Sequence, residues 1–398
     1  MTGSDARRTA LDILARERAS GFSGPDPYDA LSSRLLAPLV RRSRLFRLAL
    51  TQAVKRCPFD PRRLLGISPG RNPKALSLFL SGLSDMPGDD PASAALLESL
   101  LLASASRPDG SPVARPGSEG RPEAFTDGIE AGWGYDFPWQ GRAFFQPSGF
   151  PTVVCTSFVI DALSDARSES YGAALGCAVR FVQNSLERQE CDEGICFSYS
   201  PRDGSRVYNA SLFAAKLLSR GHAAGLPGGL DERASRAADY VASRQSPDGS
   251  WAYGEAPHWH WVDGLHTGFV LETLIFLGGS LGSERWDGAI ERGLRFYASE
   301  LFGPDGTALY HPGRRYPVDP HTYAQGILTW LAAGRAGFDV EVDPAAIADR
   351  AVELLWDGRR KGFLLRRNRL DASRTIHTRW AQAWMFRALA ALSRAEAG

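Results

Sequence analysis

Long hydrophobic runs are missing from this sequence: no uninterrupted apolar stretch approaches the ~18 residues that a membrane span needs. No secretory leader is expected, because the opening MTGSDARRTALDILARERAS reads as a charged amphipathic helix without an apolar centre. A cytoplasmic protein is therefore expected. Charge of one sign is absent too. Lys and Arg number 46 against 45 Asp and Glu, so no global field points to nucleic acid or to a membrane surface. Cysteine is scarce, with five among 398 residues at irregular spacing, which excludes a disulfide framework. The Cys191-x4-Cys196 pair is too isolated to be a zinc knuckle, and no cofactor is expected.

What is present is a repeat. From roughly residue 130 to the C-terminus a unit of about 56 residues recurs as outer helix, Gly-plus-aromatic strand, polar loop and inner helix. Aligning the inner helices puts Cys155, Asn209, His266, His321 and His377 in one column, at spacings of 54, 57, 55 and 56. Outer helices are predicted at about 169–188, 231–246, 284–302 and 344–357, inner helices near 151–165, 206–220, 263–280, 320–335 and 374–396. Asp263, Asp319 (before Pro320) and Ser373 suit the N-cap of three inner helices. The inner segments are apolar on nearly all sides, as enclosed helices must be. An all-α (α/α)6-type toroid follows, with short β-hairpin loops at its cavity end. In a closed ring the column becomes a circle of side chains around one cavity.

The predicted strand runs end alike: Gly132–Tyr135, Gly194–Tyr199, Gly249–Tyr253, Gly306–Tyr310 and Gly362–Arg366. Period-two alternation then sends Tyr135, Tyr199, Tyr253, Tyr310 and Arg366 to one side, as a second ring outside the histidines. Residues 1–60 are expected as N-terminal helices packing on a toroid domain of 61–398. Residues 28–56 carry helical apolar spacing with Arg between, suiting an outer-face helix or a membrane-surface one. The Pro/Gly/Ser-rich 107–128 reads as a mobile loop.

Gln245-Ser-Pro-Asp-Gly249-Ser-Trp251 matches the Q-x3-G-x-W signature and so resembles the prenyltransferase/squalene-cyclase repeat, in which that motif ties the outer helix to the next loop. The resemblance implies the toroid and no particular activity. An acidic D-x-D-D motif and an Asp-rich diphosphate motif are both missing, which argues against triterpene-type cyclisation. Leu64–Lys74 and Trp261–Glu272 look like segments of the prenyltransferase-like toroid proteins of bacterial capsule and exopolysaccharide biosynthesis. That likeness implies polysaccharide biosynthesis and a small-molecule or oligosaccharide substrate.

The densest chemistry is Glu255-Ala-Pro-His258-Trp259-His260-Trp-Val-Asp263-Gly-Leu-His266. Histidine passes protons near neutral pH, and Trp faces suit the apolar side of a sugar ring. The plainer alternative is a packed loop. For the His266/His321/His377 ring, acid/base chemistry is weighed against a metal site and against structural hydrogen bonding. Arg314 and Arg315 precede His321, while Arg366, Arg367, Arg369, Arg374 and Arg379 surround His377. Facing a cavity they would favour an anionic sugar such as a uronate; otherwise they are solvated loop charges. Tyr253, Tyr310, Tyr323, His266 and His321 are candidates to move a proton α to a carboxylate, in an epimerase or a lyase. Hydrolysis would instead need two carboxylates, from Asp136, Glu255, Asp263 and Asp319. The competing expectations are an isoprenoid enzyme and a non-catalytic glycan-binding assembly module.

Overall fold

Two kinds of helix alternate along the chain, and their patterns assign them to two layers. The computed structural model describes residues 1–397 apart from 58, 114–124, 126–127, 142–144 and 374. Most of the expected mobile loop at 107–128, and Arg374, thus lie outside the described residues. Along the chain run α1 (Gly3–Ala19), α2 (Ala37–Arg42), α3 (Arg44–Arg56), α4 (Pro73–Ser84), α5 (Pro91–Ala103), α6 (Val153–Asp165) and α7 (Tyr171–Ser185). Then follow α8 (Tyr208–Ala223), α9 (Leu230–Ser243), α10 (Gly264–Leu281), α11 (Asp287–Leu301), α12 (Pro320–Arg335), α13 (Pro344–Leu355) and α14 (Trp384–Ala397).

Helices α4, α6, α8, α10, α12 and α14 each pack on the next, and α14 returns to α4. The ring is closed. Helices α5, α7, α9, α11 and α13 form the outer layer, and α1 completes it against α14. The protein is an all-α (α/α)6 toroid. Helix α9 shows the outer pattern: Leu230, Ala234, Ala237, Ala238 and Val241 are buried on one stripe, while Asp231 and Glu232 are exposed. Helix α10 shows the inner one. It is long and apolar enough to cross a membrane by composition, but 61% of it is buried, between α8 and α12.

Four of the inner helices begin with side-chain caps that satisfy free N–H groups. Asp263 accepts from His266 N, Asp319 from His321 N, Asn72 from Lys74 N and Thr152 from Cys155 N. Ser373 is not a cap: it pairs with Arg366 in a two-residue ladder, and the last inner helix opens at Thr378 with a π-helical turn. The Gln245 motif does structural work. Gln245 Nε2 donates to the carbonyls of Gly249 (3.0 Å) and Ala289 (2.8 Å), and Trp251 Nε1 donates to Val241 O at 2.8 Å. Gly249 is required at φ +92°, where an added Cβ would lie 2.4 Å from Arg292 O.

The expected strands are shorter than the repeat suggested. Among the described residues only β3 (Arg188–Cys191) and β4 (Gly194–Phe197) pair over four residues; β1 (Trp139–Gln140), β2 (Phe145–Gln146), β5 (Trp356–Asp357), β6 (Gly362–Phe363), β7 (Arg366–Arg367) and β8 (Ala372–Ser373) have two each. The Gly132 and Gly306 runs hold isolated bridges instead, and the Gly249 run is followed by one at Gly254, while the backbone there bonds to helix starts, as when Tyr208 N donates to Tyr253 O.

Residues 28–56 do not pack on the outer face. They break into a 3₁₀ turn, α2 and α3 around a small apolar cluster of Ala30, Leu31, Val40, Leu50 and Val54. Two buried ion pairs hold the chain around this turn: Arg379 Nε to Asp26 at 2.6 Å and Arg62 Nε to Asp29 at 2.7 Å. Helix α3 then brings Leu48 and Gln52 to the mouth of the central cavity.

Candidate functional site

Because the inner helices all start at the same end of the ring, their first-turn side chains converge on one cavity of about 690 Å³. Its walls include Trp139, Trp259, Trp261 and Trp380, with the tyrosines Tyr28, Tyr135, Tyr199, Tyr253 and Tyr310. Below, Phe158, Phe213, Phe269 and Trp384 pack mostly edge to face across the centre of the ring.

Asp263 and His266 form a dyad on the first turn of α10. Asp263 accepts the backbone N–H of His266 at 2.8 Å, its Nδ1–H at 2.7 Å and Trp261 Nε1–H at 3.1 Å. Burial opposes the Asp263 carboxylate, but the imidazole and these hydrogen bonds outweigh it and hold the carboxyl below its ordinary value. With Nδ1 engaged, Nε2 is the ring nitrogen left for the cavity. Tyr253 stands edge-on to His266 at 4.5 Å and stacks on Trp261 at 4.6 Å.

His321 has a different environment. It is 3% exposed, stacked on Trp384 at 4.1 Å, and edge-on to Trp380 at 4.9 Å. Both of its ring nitrogens lack hydrogen-bond partners. Burial, aided by the nearby Lys74 and Arg379 cations, holds its pKa well below the ordinary value, so the ring is neutral. Asn209 Oδ1, on the same cavity wall, also has no partner. Buried polar atoms left unsatisfied in a cavity are where a ligand or water is expected to bond.

Lys74, at the start of α4, is the lining residue that the repeat column missed. Its Nζ lies 4.1 Å from the Phe158 ring centre and 5.1 Å from those of Phe269 and Trp384. Burial, then repulsion from Arg379, lowers the amine to about 7. A signal existed: Asn72-Pro73-Lys74 copies the cap-Pro-cavity order of Asp319-Pro320-His321.

The tyrosine ring is present at four of its five expected positions. Tyr135, Tyr199, Tyr253 and Tyr310 line the cavity, with the Tyr135 and Tyr199 hydroxyls 3.3 Å apart. Burial raises the pKa of all four, so they stay protonated and act as hydrogen-bond donors or acceptors. Arg366, the fifth, faces an adjoining pocket instead. Arg379 lines the cavity, but its charge is matched by Asp26.

Other expected residues lie elsewhere. His377 is buried beside Arg62, its Nδ1–H donating to Thr375 O and its Nε2 accepting from Arg62, so the three histidines do not share one site. Among the described residues no group of three His, Cys, Asp or Glu could hold a metal ion. Tyr323 points between α12 and the outer layer, toward Ala308 and Arg350, and Trp251 packs under Gly293 of α11. Asp136 accepts from Asn72 at 2.6 Å, and burial pushes its carboxyl up to about 6. Glu255 is tied to Arg206 and Arg244 on a separate rim pocket. His258, His260, Arg314 and Arg315 are exposed: the 3₁₀ turn Pro257–Trp259 turns Trp259 inward and its histidine neighbours outward. Asp263 is the one carboxylate among the described residues lining the main cavity, so a paired-carboxylate arrangement is not formed there.

No family model matches the chain, and no curated protein matches its sequence. Solved structures do match its fold. Cellobiose 2-epimerase from Bacillus thermoamylovorans B4167 superposes with a TM-score of 0.59 at 10% identity, over 83% of this chain and 90% of that one. The GH76 α-mannanase BT2949 of Bacteroides thetaiotaomicron gives 0.58 at 10% identity, over 81% and 85%. A D-mannose isomerase gives 0.55 at 11% identity, over 81% and 85%. At these identities the similarity is one of fold, the (α/α)6 toroid.

Proposed function

We propose that this chain is a carbohydrate-active enzyme that moves a proton at a carbon next to a carbonyl, in the manner of an epimerase or isomerase. One observation carries the reading: a buried, neutral His321 with two unpartnered nitrogens shares a tryptophan- and tyrosine-walled cavity with a carboxylate-supported His266. His266 takes the proton at Nε2 and returns it, and Asp263, in contact with Nδ1, offsets the imidazolium charge. His321, neutral and with both ring nitrogens unpartnered, hydrogen-bonds the sugar beside the reacting carbon. Lys74 and the tyrosine hydroxyls donate to the oxygen on which negative charge develops. Stacking on Trp259 and Trp380 would hold the sugar ring.

Fold similarity to a cellobiose 2-epimerase and a D-mannose isomerase supports carbohydrate as the substrate class. The resemblance of residues 64–74 and 261–272 to capsule and exopolysaccharide toroids supports a place in polysaccharide assembly, with a uronate-type glycan as the finer reading. An isoprenoid reading fares less well, since protonating a polyene needs a protonated acid and Asp263 is held ionised.

The test is incubation with reducing sugars (cellobiose, mannose and a uronate oligosaccharide) in heavy water, followed by NMR. Deuterium should enter at the carbon beside the carbonyl, and His321→Ala should lose at least about a hundredfold in rate while remaining folded. An unsaturated chromophore would indicate a lyase instead. Full turnover in His321→Ala would remove His321 from the mechanism, and binding without turnover would leave a glycan-binding module.

A further inference from the structure

Beside the main cavity lies a second one of about 410 Å³, between α3 and the loop that carries β7. The two share Gln52, Tyr310, His311 and Trp380 as common walls. The smaller one gathers cations: Lys55 and Arg56 from α3 and Arg366 from β7. None of the three is ion-paired with a described carboxylate, and Arg366 Nε is buried without any hydrogen-bond partner. Lys55 Nζ donates to the Tyr28 hydroxyl at 2.8 Å and lies over the Tyr28 ring, with no carboxylate in direct contact among the described residues. Two fully buried arginines are matched instead, Arg379 by Asp26 and Arg62 by Asp29. Asp319 is the opposing charge here, but its oxygens are already engaged by Trp380 Nε1 at 2.9 and 3.0 Å and by His321 N at 3.0 Å.

We infer that this side pocket binds an anionic group, a carboxylate or a phosphate, carried by the same ligand whose sugar ring occupies the main cavity. Half-enclosed cations gain more from an anion than solvated ones do, and the planar guanidinium of Arg366 suits either group. Anion selectivity then comes from α3 and β7. The exposed Arg314 and Arg315 have no part in it. The inference rests on the carbohydrate reading for the rest of the ligand, while the anion site itself can be measured without turnover.

The experiment is calorimetric titration of the full chain at low salt with methyl β-glucuronide, methyl β-glucoside and inorganic phosphate. The glucuronide is expected to bind about tenfold or more tightly than the glucoside, as a charged hydrogen bond implies. In Arg366→Gln that preference should shrink about tenfold, and Arg56→Gln, on the exposed edge, should reduce it in a protein whose fold is not in question. Phosphate that competes with the glucuronide identifies a site open to both anions; a glucuronide preference without such competition identifies a carboxylate site. Equal affinity for acid and neutral sugars, a preference that survives both variants, or no binding of either anion at millimolar concentration overturns the inference. Glucuronide bound at this pocket without any deuterium exchange would leave the inference standing and remove the catalytic reading. Exchange with no acid preference does the reverse.

Discussion

Replacing Lys74 by methionine isolates the cost of holding a charge above an aromatic floor. Lys74 is 4% exposed, sits over Phe158, Phe269 and Trp384, and pairs with no described carboxylate. Burial and Arg379 lower its amine from 10.5 to about 7. The sign follows from linkage. Above pH 10.5 the amine is neutral in folded and unfolded chains alike, and it costs the fold nothing. As pH falls toward 7 the unfolded chain binds the proton first, so stability declines; below about 7 the penalty is constant. At 1.36 kcal/mol per pH unit the full penalty is on the order of 5 kcal/mol, and roughly 3 kcal/mol after relaxation. Methionine keeps the length and removes the charge. Lys74→Met should therefore unfold roughly 4 °C above wild type at pH 6, the scale set by the unfolding entropy of a chain this long. The gap should close by about pH 10.5. Calorimetric melting of both proteins across that range reads it directly. Equal melting temperatures throughout, or a more stable wild type at pH 6, would refute the reasoning, because the ammonium would then have a counter-charge. A variant that is both more stable and slower in turnover would mark Lys74 as kept for function rather than for folding.

Asp263→Asn should retain the helix cap, since asparagine caps as well as aspartate. With its one oxygen kept for the cap, its NH2 faces His266 Nδ1 and cannot accept Nδ1–H, so the His266 tautomer is lost. Turnover should fall on the order of a thousandfold with little change in melting temperature, and a rate within tenfold of wild type would remove the dyad from the mechanism. Trp251→Ala empties a packed site between α9 and α11 and should cost about 3–5 kcal/mol by denaturant unfolding. A loss below about 1 kcal/mol would contradict the structural role of the Gln245 motif.

The toroid was legible because a supersecondary unit that cannot bury its own apolar face has to repeat, and the repeat shows in Gln245, Gly249, Trp251 and the capped inner helices. His266, His321 and the four tyrosines were legible for a related reason: equivalent positions of a closed ring face the same axis. Lys74 was hidden because the repeat was followed only from about residue 130 onward, although Asn72-Pro73 carries the same cap. His258, His260 and the arginines were misdirected by crowding in sequence, which says nothing about which way a turn points. The periodicity of 28–56 marked helix without saying which surface it would cover; the Asp26–Arg379 and Asp29–Arg62 pairs, made across long separations, fix that.

The rings of Phe158, Phe213, Phe269 and Trp384, meeting across the barrel axis, have a kinetic consequence. A ligand that enters beside Leu48 and Gln52 finds no passage through these packed rings and has to leave on the side it came from. Departure of one molecule then gates arrival of the next, and the residues around α3 become determinants of throughput as much as of affinity.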